Sequence, residues 1–222
     1  MSVPTCSVQA VLFDAGNTLI FPDYAFVREL LAGYGLKITE GRLKELDFAA
    51  KARAQTAAAK RPWNHYFTLW FTSAGLPEEN VPEALSKLWQ RHRRRSLWSE
   101  VEETAVETLQ ALRERGLKRG VVSNSDGHLE PLLAQVGLRQ YFDVIVDSER
   151  VGVRKPDERI FRLALQALQV APEAALFVGD SYELDYEAAR KVGMQALLYD
   201  PLRQYKNCDT IGQLRELLDR LR

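Results

Sequence analysis

Cysteine is scarce in this sequence of 222 residues: Cys6 and Cys208 lie near opposite ends, no CxxC spacing occurs, and only three histidines are present. That excludes a disulfide framework and a zinc site, and leaves two free thiols of the kind a reducing cytosol maintains. An excess of charge of either sign is also missing, with 30 basic residues against 30 acidic ones. The global attraction that a nucleic-acid or acidic-membrane binder usually carries is therefore absent, and neither partner is expected. No window holds the about 18 uninterrupted apolar residues of a membrane helix. Met1 to Ala10 has no basic run followed by a long apolar stretch, so a soluble cytoplasmic protein is the expectation. No internal repeat or low-complexity segment stands out. What remains is ordinary globular composition, 46% hydrophobic and 27% charged, at a length that suits a main domain with a smaller insertion.

Short apolar runs that end in small polar residues alternate with long helical patterns, the signature of parallel β-α units. The runs are Val8 to Phe13, Arg119 to Val122, Val144 to Val146, Leu176 to Val178 and Ala196 to Tyr199. An Asp or Ser follows four of them directly: Asp14, Ser123, Asp147 and Asp200; after the fifth stand Gly179 and Asp180. In an open α/β sheet the residues just past the carboxyl ends of the strands line the ligand crevice. The expected fold is thus a doubly wound α/β parallel sheet.

About a hundred residues separate the first two strands, far more than one crossover helix needs. Helices are expected over Tyr24–Tyr34, Glu40–Lys60, Trp63–Ala74 and Val81–Trp98, with Gly33, Gly35, Pro62, Gly75 and Pro77 as breakers. Residues 20–98 read as an all-helical insertion, and residues 1–19 with 99–222 as the α/β core. The helix Val101 to Arg115 belongs to the core, because Ala105, Leu109 and Leu112 recur at helical spacing and Gly116 supplies a stop.

Four segments line up in order: Val11-Leu12-Phe13-Asp14-Ala15-Gly16-Asn17-Thr18-Leu19, Val121-Val122-Ser123-Asn124, Lys155-Pro156, and Phe177-Val178-Gly179-Asp180-Ser181-Tyr182-Glu183-Leu184-Asp185. Motif order, gaps and the position of the insertion resemble the haloacid dehalogenase-like hydrolase superfamily, subfamily I, over essentially the whole chain. The resemblance implies a Rossmann-like core, a mobile helical cap, and phosphoryl transfer from a small phosphorylated metabolite with Mg²⁺ as cofactor.

Each role has a physical reason. A carboxylate at the first strand end, Asp14, is a competent nucleophile toward phosphorus once the electrophile's charge is neutralised. Asp180 at the mouth of the fourth strand would face it, and two facing carboxylates repel unless a cation lies between them. Mg²⁺ binds hard oxygen ligands of this kind, and the family pattern adds the carbonyl of Gly16. Asp185, about one turn into the next helix, serves either as a further metal ligand or as the charge partner of Lys155. Ser123 and Lys155 supply the hydroxyl and the cation that a transferring phosphoryl group needs, with Asn124 and the N–H groups of Ala15 and Gly16 as further donors.

Gly16 departs from the family pattern. Most phosphatases of this family place there a second Asp that protonates the leaving alcohol and activates water. A positioned acid or base supplies about 10²–10⁴ in rate, so an alkyl phosphate should turn over slowly. One reading is a substrate with an acidic leaving group, or a proton supplied by the substrate or by a cap residue such as Asp23, Tyr24 or His65. A second is a 2-haloacid dehalogenase, against which Gly179-Asp180-Ser181 and Gly16 both argue. A third is a non-catalytic or regulatory protein that kept the fold.

Other features have simpler readings. Arg91-His92-Arg93-Arg94-Arg95 suits the C-terminal end of a helix, where cations are favoured. Trp63, Tyr66, Phe67, Trp70 and Phe71 describe one helical face and read as core. His128 reads as a solvated loop residue. Substrate identity, pathway and the choice between monomer and homodimer are not legible.

Overall fold

The computed structural model describes residues 7–55 and 62–221, so Cys6 and the end of the helix expected over Glu40–Lys60 lie outside the described residues. Eight strands are assigned among them: β1 (Ala10–Phe13), β2 (Ile20–Pro22), β3 (Trp98–Val101), β4 (Lys118–Ser123), β5 (Val144–Asp147), β6 (Ala175–Gly179), β7 (Gln195–Tyr199) and β8 (Thr210–Ile211). The helices are α1 (Tyr24–Ala32), α2 (Glu40–Gln55), α3 (Pro62–Ser73), α4 (Val81–Arg94), α5 (Ala105–Glu114), α6 (Leu129–Gln135), α7 (Ser148–Val151), α8 (Glu158–Leu168), α9 (Ala188–Val192) and α10 (Leu217–Arg220).

Six strands form one parallel sheet in the order β5-β4-β1-β6-β7-β8. Counted along the chain, that is the 3-2-1-4-5-6 order of a doubly wound sheet, as expected from the sequence. Parallel strands covered on both faces need continuous apolar runs. β1 supplies one, because Ala10, Val11, Leu12 and Phe13 are all fully buried. The first three strands wind outward in one direction and the last three in the other. The gap between β1 and β6 is therefore the topological switch point, where open α/β sheets take their ligands. Phe13 pairs with Val121 of β4 and with Val178 of β6, so the residues after these strands emerge side by side.

α8 shows how a crossover helix is made. Asp157 caps its N-terminus by accepting from the Arg159 N–H, Ile160, Phe161, Ala164, Leu165 and Leu168 face the core, and Gln169 ends it in the left-handed conformation. Phe161 meets Phe177 of β6 edge to face, with centroids 5.0 Å apart.

The chain divides into two compact units, residues 1–20 with 101–222, and residues 21–100. Among the described residues the smaller unit holds α1 to α4 together with most of β2 and β3, which pair as a two-stranded ribbon through which the chain passes between units. The helix expected to reach Trp98 ends at Arg94 instead, and residues 98–101 are extended. The reason lies in the side chains that stop it. The Arg91 guanidinium donates to the carbonyls of Arg95 and Ser96, and His92 Nδ1 accepts the Leu97 N–H at 3.0 Å. Arg91 also pairs with Asp23 at 2.9 Å. Two members of the basic run are thus turned to structural work, leaving Arg93, Arg94 and Arg95 exposed.

Within this unit Tyr66, Phe67, Trp70 and Phe71 are buried, as the helical spacing implies. Tyr66 donates its hydroxyl to a fully buried carboxyl group, that of Asp47, which also accepts from the Tyr24 hydroxyl at 2.7 Å. Burial of a polar group demands such partners.

Candidate active site

The residues that follow β1, β4 and β6 meet at the switch point. Asp14 is tied to the neighbouring strand by its N–H, which donates to the Val178 carbonyl at 2.9 Å. Beyond it the chain folds into a tight loop in which the Ala15 carbonyl accepts from Leu19 and Ile20, both at 2.9 Å, and Asn17 adopts a left-handed φ of 60°. Gly16 bridges to Ile20 across this loop. These bonds fix the direction in which the Asp14 carboxylate leaves the sheet.

One oxygen of Asp14 gathers two donors. Lys155 Nζ stands 2.5 Å from Oδ1 and Ser123 Oγ 3.1 Å from the same atom. Lys155 Nζ also donates to Asp185 Oδ1 at 2.6 Å. All four side chains are buried. Burial works against the charge of Lys155, but Asp14 and then Asp185 outweigh it and hold the ammonium well above the ordinary lysine value. Burial pushes the Asp185 carboxyl up and Asp14 acts in the same direction, while Lys155 opposes them.

Asp185 is delivered by a turn of π-helix, Tyr182–Glu187, in which the Ser181 carbonyl accepts from both Asp185 and Tyr186 at 3.1 Å. π-turns of this kind concentrate at functional sites. Asp185 Oδ2 reaches back to the Ser181 N–H at 2.9 Å, and Ser181 Oγ accepts from Leu184. Its carboxyl group lies directly over Gly179. Tyr182, Tyr186 and Tyr205 stack beside this turn at 5.5 and 5.9 Å.

Asp14, Asp180 and Asp185 each offer an oxygen, and these three atoms lie within 4.8 Å of one another. Three formal negative charges converge there against the single positive charge of Lys155. Such a set of hard oxygen donors fits a hard divalent cation.

Not every expected donor points into this cluster. The Asn124 amide engages the main chain of Lys155 instead: Oδ1 accepts its N–H at 2.8 Å and Nδ2 donates to its carbonyl at 3.0 Å. Asp147 and Asp200, also at strand ends, serve loops. Asp147 accepts the N–H groups of Gly127, Leu129 and Glu149, and Asp200 that of Tyr205. Of the residues considered as proton sources, Asp23 caps α1 and pairs with Arg91, and Tyr24 donates to Asp47. His128 has a side chain 81% exposed beside Asp126. Sequence reasoning assigned no role to Ser181, although its place between Asp180 and Asp185 was the available signal.

A parallel sheet of 3-2-1-4-5-6 order, with a lysine-bridged carboxylate cluster at its switch point, places a set of polar side chains where doubly wound α/β folds take their ligands. The sequence pattern of the haloacid dehalogenase-like hydrolases matches residues 8–193, and the chain belongs to that family. Haloacid dehalogenase-like hydrolase domain-containing protein 3 of Mus musculus is 38% identical over 158 residues, 71% of this chain and 62% of that protein. The chain thus spans about three fifths of the mouse relative. A glyceraldehyde 3-phosphate phosphatase of Methanopyrus kandleri is 29% identical over 97% of both chains. The crystal structure of a HAD phosphatase from Thermococcus onnurineus covers 96% of this chain and 98% of its own, at 26% identity and a TM-score of 0.66. Among the described residues, no helix is long and apolar enough to cross a membrane.

Proposed function

We propose that this protein is a Mg²⁺-dependent phosphatase for a small phosphorylated metabolite, working through an aspartyl phosphate on Asp14. The observation that carries the reading is the convergence of Asp14, Asp180 and Asp185 around one point, with Lys155 and Ser123 on Asp14. The phosphatase names of its relatives support it.

In this reading Asp14, Asp180, Asp185 and the Gly16 carbonyl would hold the cation, which would supply charge neutralisation for the phosphoryl oxygens. Asp14 attacks phosphorus, the bond to the leaving oxygen breaks, and the ester becomes an acyl phosphate on the enzyme. Ser123 and the N–H groups of the loop at Ala15 and Gly16 orient the transferred group, and Lys155 balances the charge that builds up. Water then cleaves the acyl phosphate and regenerates Asp14. Residues 20–98 are the helical cap domain of this reading. Gly16 provides no acid, so the site favours leaving groups that depart unprotonated, as in aryl and acyl phosphates.

The test is release of p-nitrophenol from p-nitrophenyl phosphate with Mg²⁺ or with EDTA, using Asp14→Asn as control for contaminating phosphatase. Metal-dependent release that Asp14→Asn abolishes is expected. No release above that control would favour a regulatory protein that keeps the fold and the site without turnover.

A further inference from the structure

Lys155 stands in the loop between Gly152 and α8, outside any strand or helix, yet it is only 5% exposed. Its peptide N–H and C=O are buried with it and must find partners. Both are met by one side chain. Asn124 Oδ1 accepts the N–H at 2.8 Å and Nδ2 donates to the C=O at 3.0 Å, across 31 residues of sequence. This two-point fork fixes the orientation of the Lys155 backbone as well as its position, because one bond alone would leave it free to pivot.

The anchor is rigid. Asn124 immediately follows β4, which is paired to β1 on one side and β5 on the other. The same strand end carries Ser123, whose hydroxyl is 3.1 Å from Asp14 Oδ1. From the clamped backbone the Lys155 side chain runs past the Phe177 ring, 5.5 Å from Nζ, to bridge Asp14 and Asp185 at 2.5 and 2.6 Å. Two short contacts on one ammonium leave little tolerance for a shift of its backbone.

We propose that Asn124 is a positioning residue that sets the reach of Lys155 through its main chain, and that it does not itself hold the phosphate. An amide suits this task because it presents one acceptor and one donor side by side. Asp keeps the acceptor and loses the donor, and Ala loses both. The proposal rests on the phosphatase reading only for its effect on phosphate binding; the geometry of Lys155 stands apart from that reading.

Two measurements test it. Crystal structures of Asn124→Ala and Asn124→Asp are expected to show Lys155 Nζ beyond hydrogen-bond distance of Asp14 or Asp185 in the alanine variant. The aspartate variant should retain the contact to the Lys155 N–H. Both Nζ contacts intact in Asn124→Ala would overturn the proposal, and if that variant does not fold, loss of neither contact in Asn124→Asp would do so. The second measurement is Mg²⁺-dependent binding of orthovanadate to the wild type, Asn124→Ala, Lys155→Met and the double variant. Each single change should weaken binding by about 10–100-fold, the scale of a misplaced catalytic group, and the double variant should bind no worse than Lys155→Met. Additive losses would make Asn124 a phosphate ligand in its own right and overturn the proposal. A wild type that binds no vanadate would count against the phosphatase reading alone, since the crystal structures still decide the role of Asn124.

Discussion

The carboxyl group of Asp185 occupies the space into which a side chain on Gly179 would project: a Cβ built there would lie 2.5 Å from both Cγ and Oδ2. Glycine is needed at this point because Asp185 folds back over the end of β6 to reach Lys155 and the Ser181 N–H.

Gly179→Ala is therefore expected to push Asp185 off both partners. Overpacking of this kind costs about 1–3 kcal/mol, and the loss of the carboxylate from the cluster should weaken Mg²⁺ binding as well. Urea unfolding with and without Mg²⁺ reads both effects, and wild-type values for the two would remove the steric argument.

Lys155→Met leaves Asp14 and Asp185 buried without their shared cation. Removing one partner of a buried pair costs about 3–5 kcal/mol. The three carboxylates then face each other with less compensation, so added Mg²⁺ should restore a larger share of stability in the variant than in the wild type. Equal Mg²⁺-induced shifts in melting temperature would show that Lys155 and the cation site are independent.

The absence of an acid at Gly16 makes a kinetic prediction. Values of kcat/KM for p-nitrophenyl phosphate should exceed those for a hexose phosphate, whose alkoxide leaves poorly without a proton. Gly16→Asp should raise turnover of the hexose phosphate by up to about 10²–10⁴, the usual worth of a positioned acid or base. Equal kcat/KM values for the two substrates in the wild type would sink the argument.

A pH effect is expected away from the site. The side chain of Arg159, followed by its N–H, lowers the Asp157 carboxyl from 3.8 to about 2. A group with a depressed folded value contributes stability above its unfolded value and loses it as pH falls through the folded one. Asp157→Asn keeps a capping oxygen but cannot take up the proton. Its stability deficit relative to the wild type should shrink between pH ~4 and ~2. A deficit constant over that range would show that the charge of Asp157 contributes nothing.

Much of the sheet was legible because its strands are short apolar runs, and five of its six members were recognisable by that pattern. β8 escaped because two residues, Thr210 and Ile211, carry no periodicity. The strand-end rule was half sufficient. Asp14 and Asp147 have the same local signature, an acid directly after a run of apolar residues, but Asp147 lies beside β4 and is spent on capping three N–H groups. Only the strand order, which local sequence does not encode, separates the two. The end of α4 was misread for a similar reason. Arg93, Arg94 and Arg95 continue a helical pattern, while the stop comes from side chains of Arg91 and His92 folding back on the main chain. The fork between Asn124 and Lys155 had no sequence signal at all, because an amide beside a serine looks the same whether it faces a ligand or a backbone.

The place of β1 in the sheet bears on how the chain is made. Its two neighbours, β4 and β6, begin at Lys118 and Ala175, so the four apolar residues Ala10–Phe13 leave the ribosome long before either partner exists. Strand pairings of such long sequence separation form slowly and leave sticky edges exposed meanwhile. Until β6 emerges, one edge of β1 has no strand to pair with. Asp14 is also synthesised well before Asp180 and Asp185, so a chain that stops before β6 lacks two of the three carboxylates that converge at the switch point.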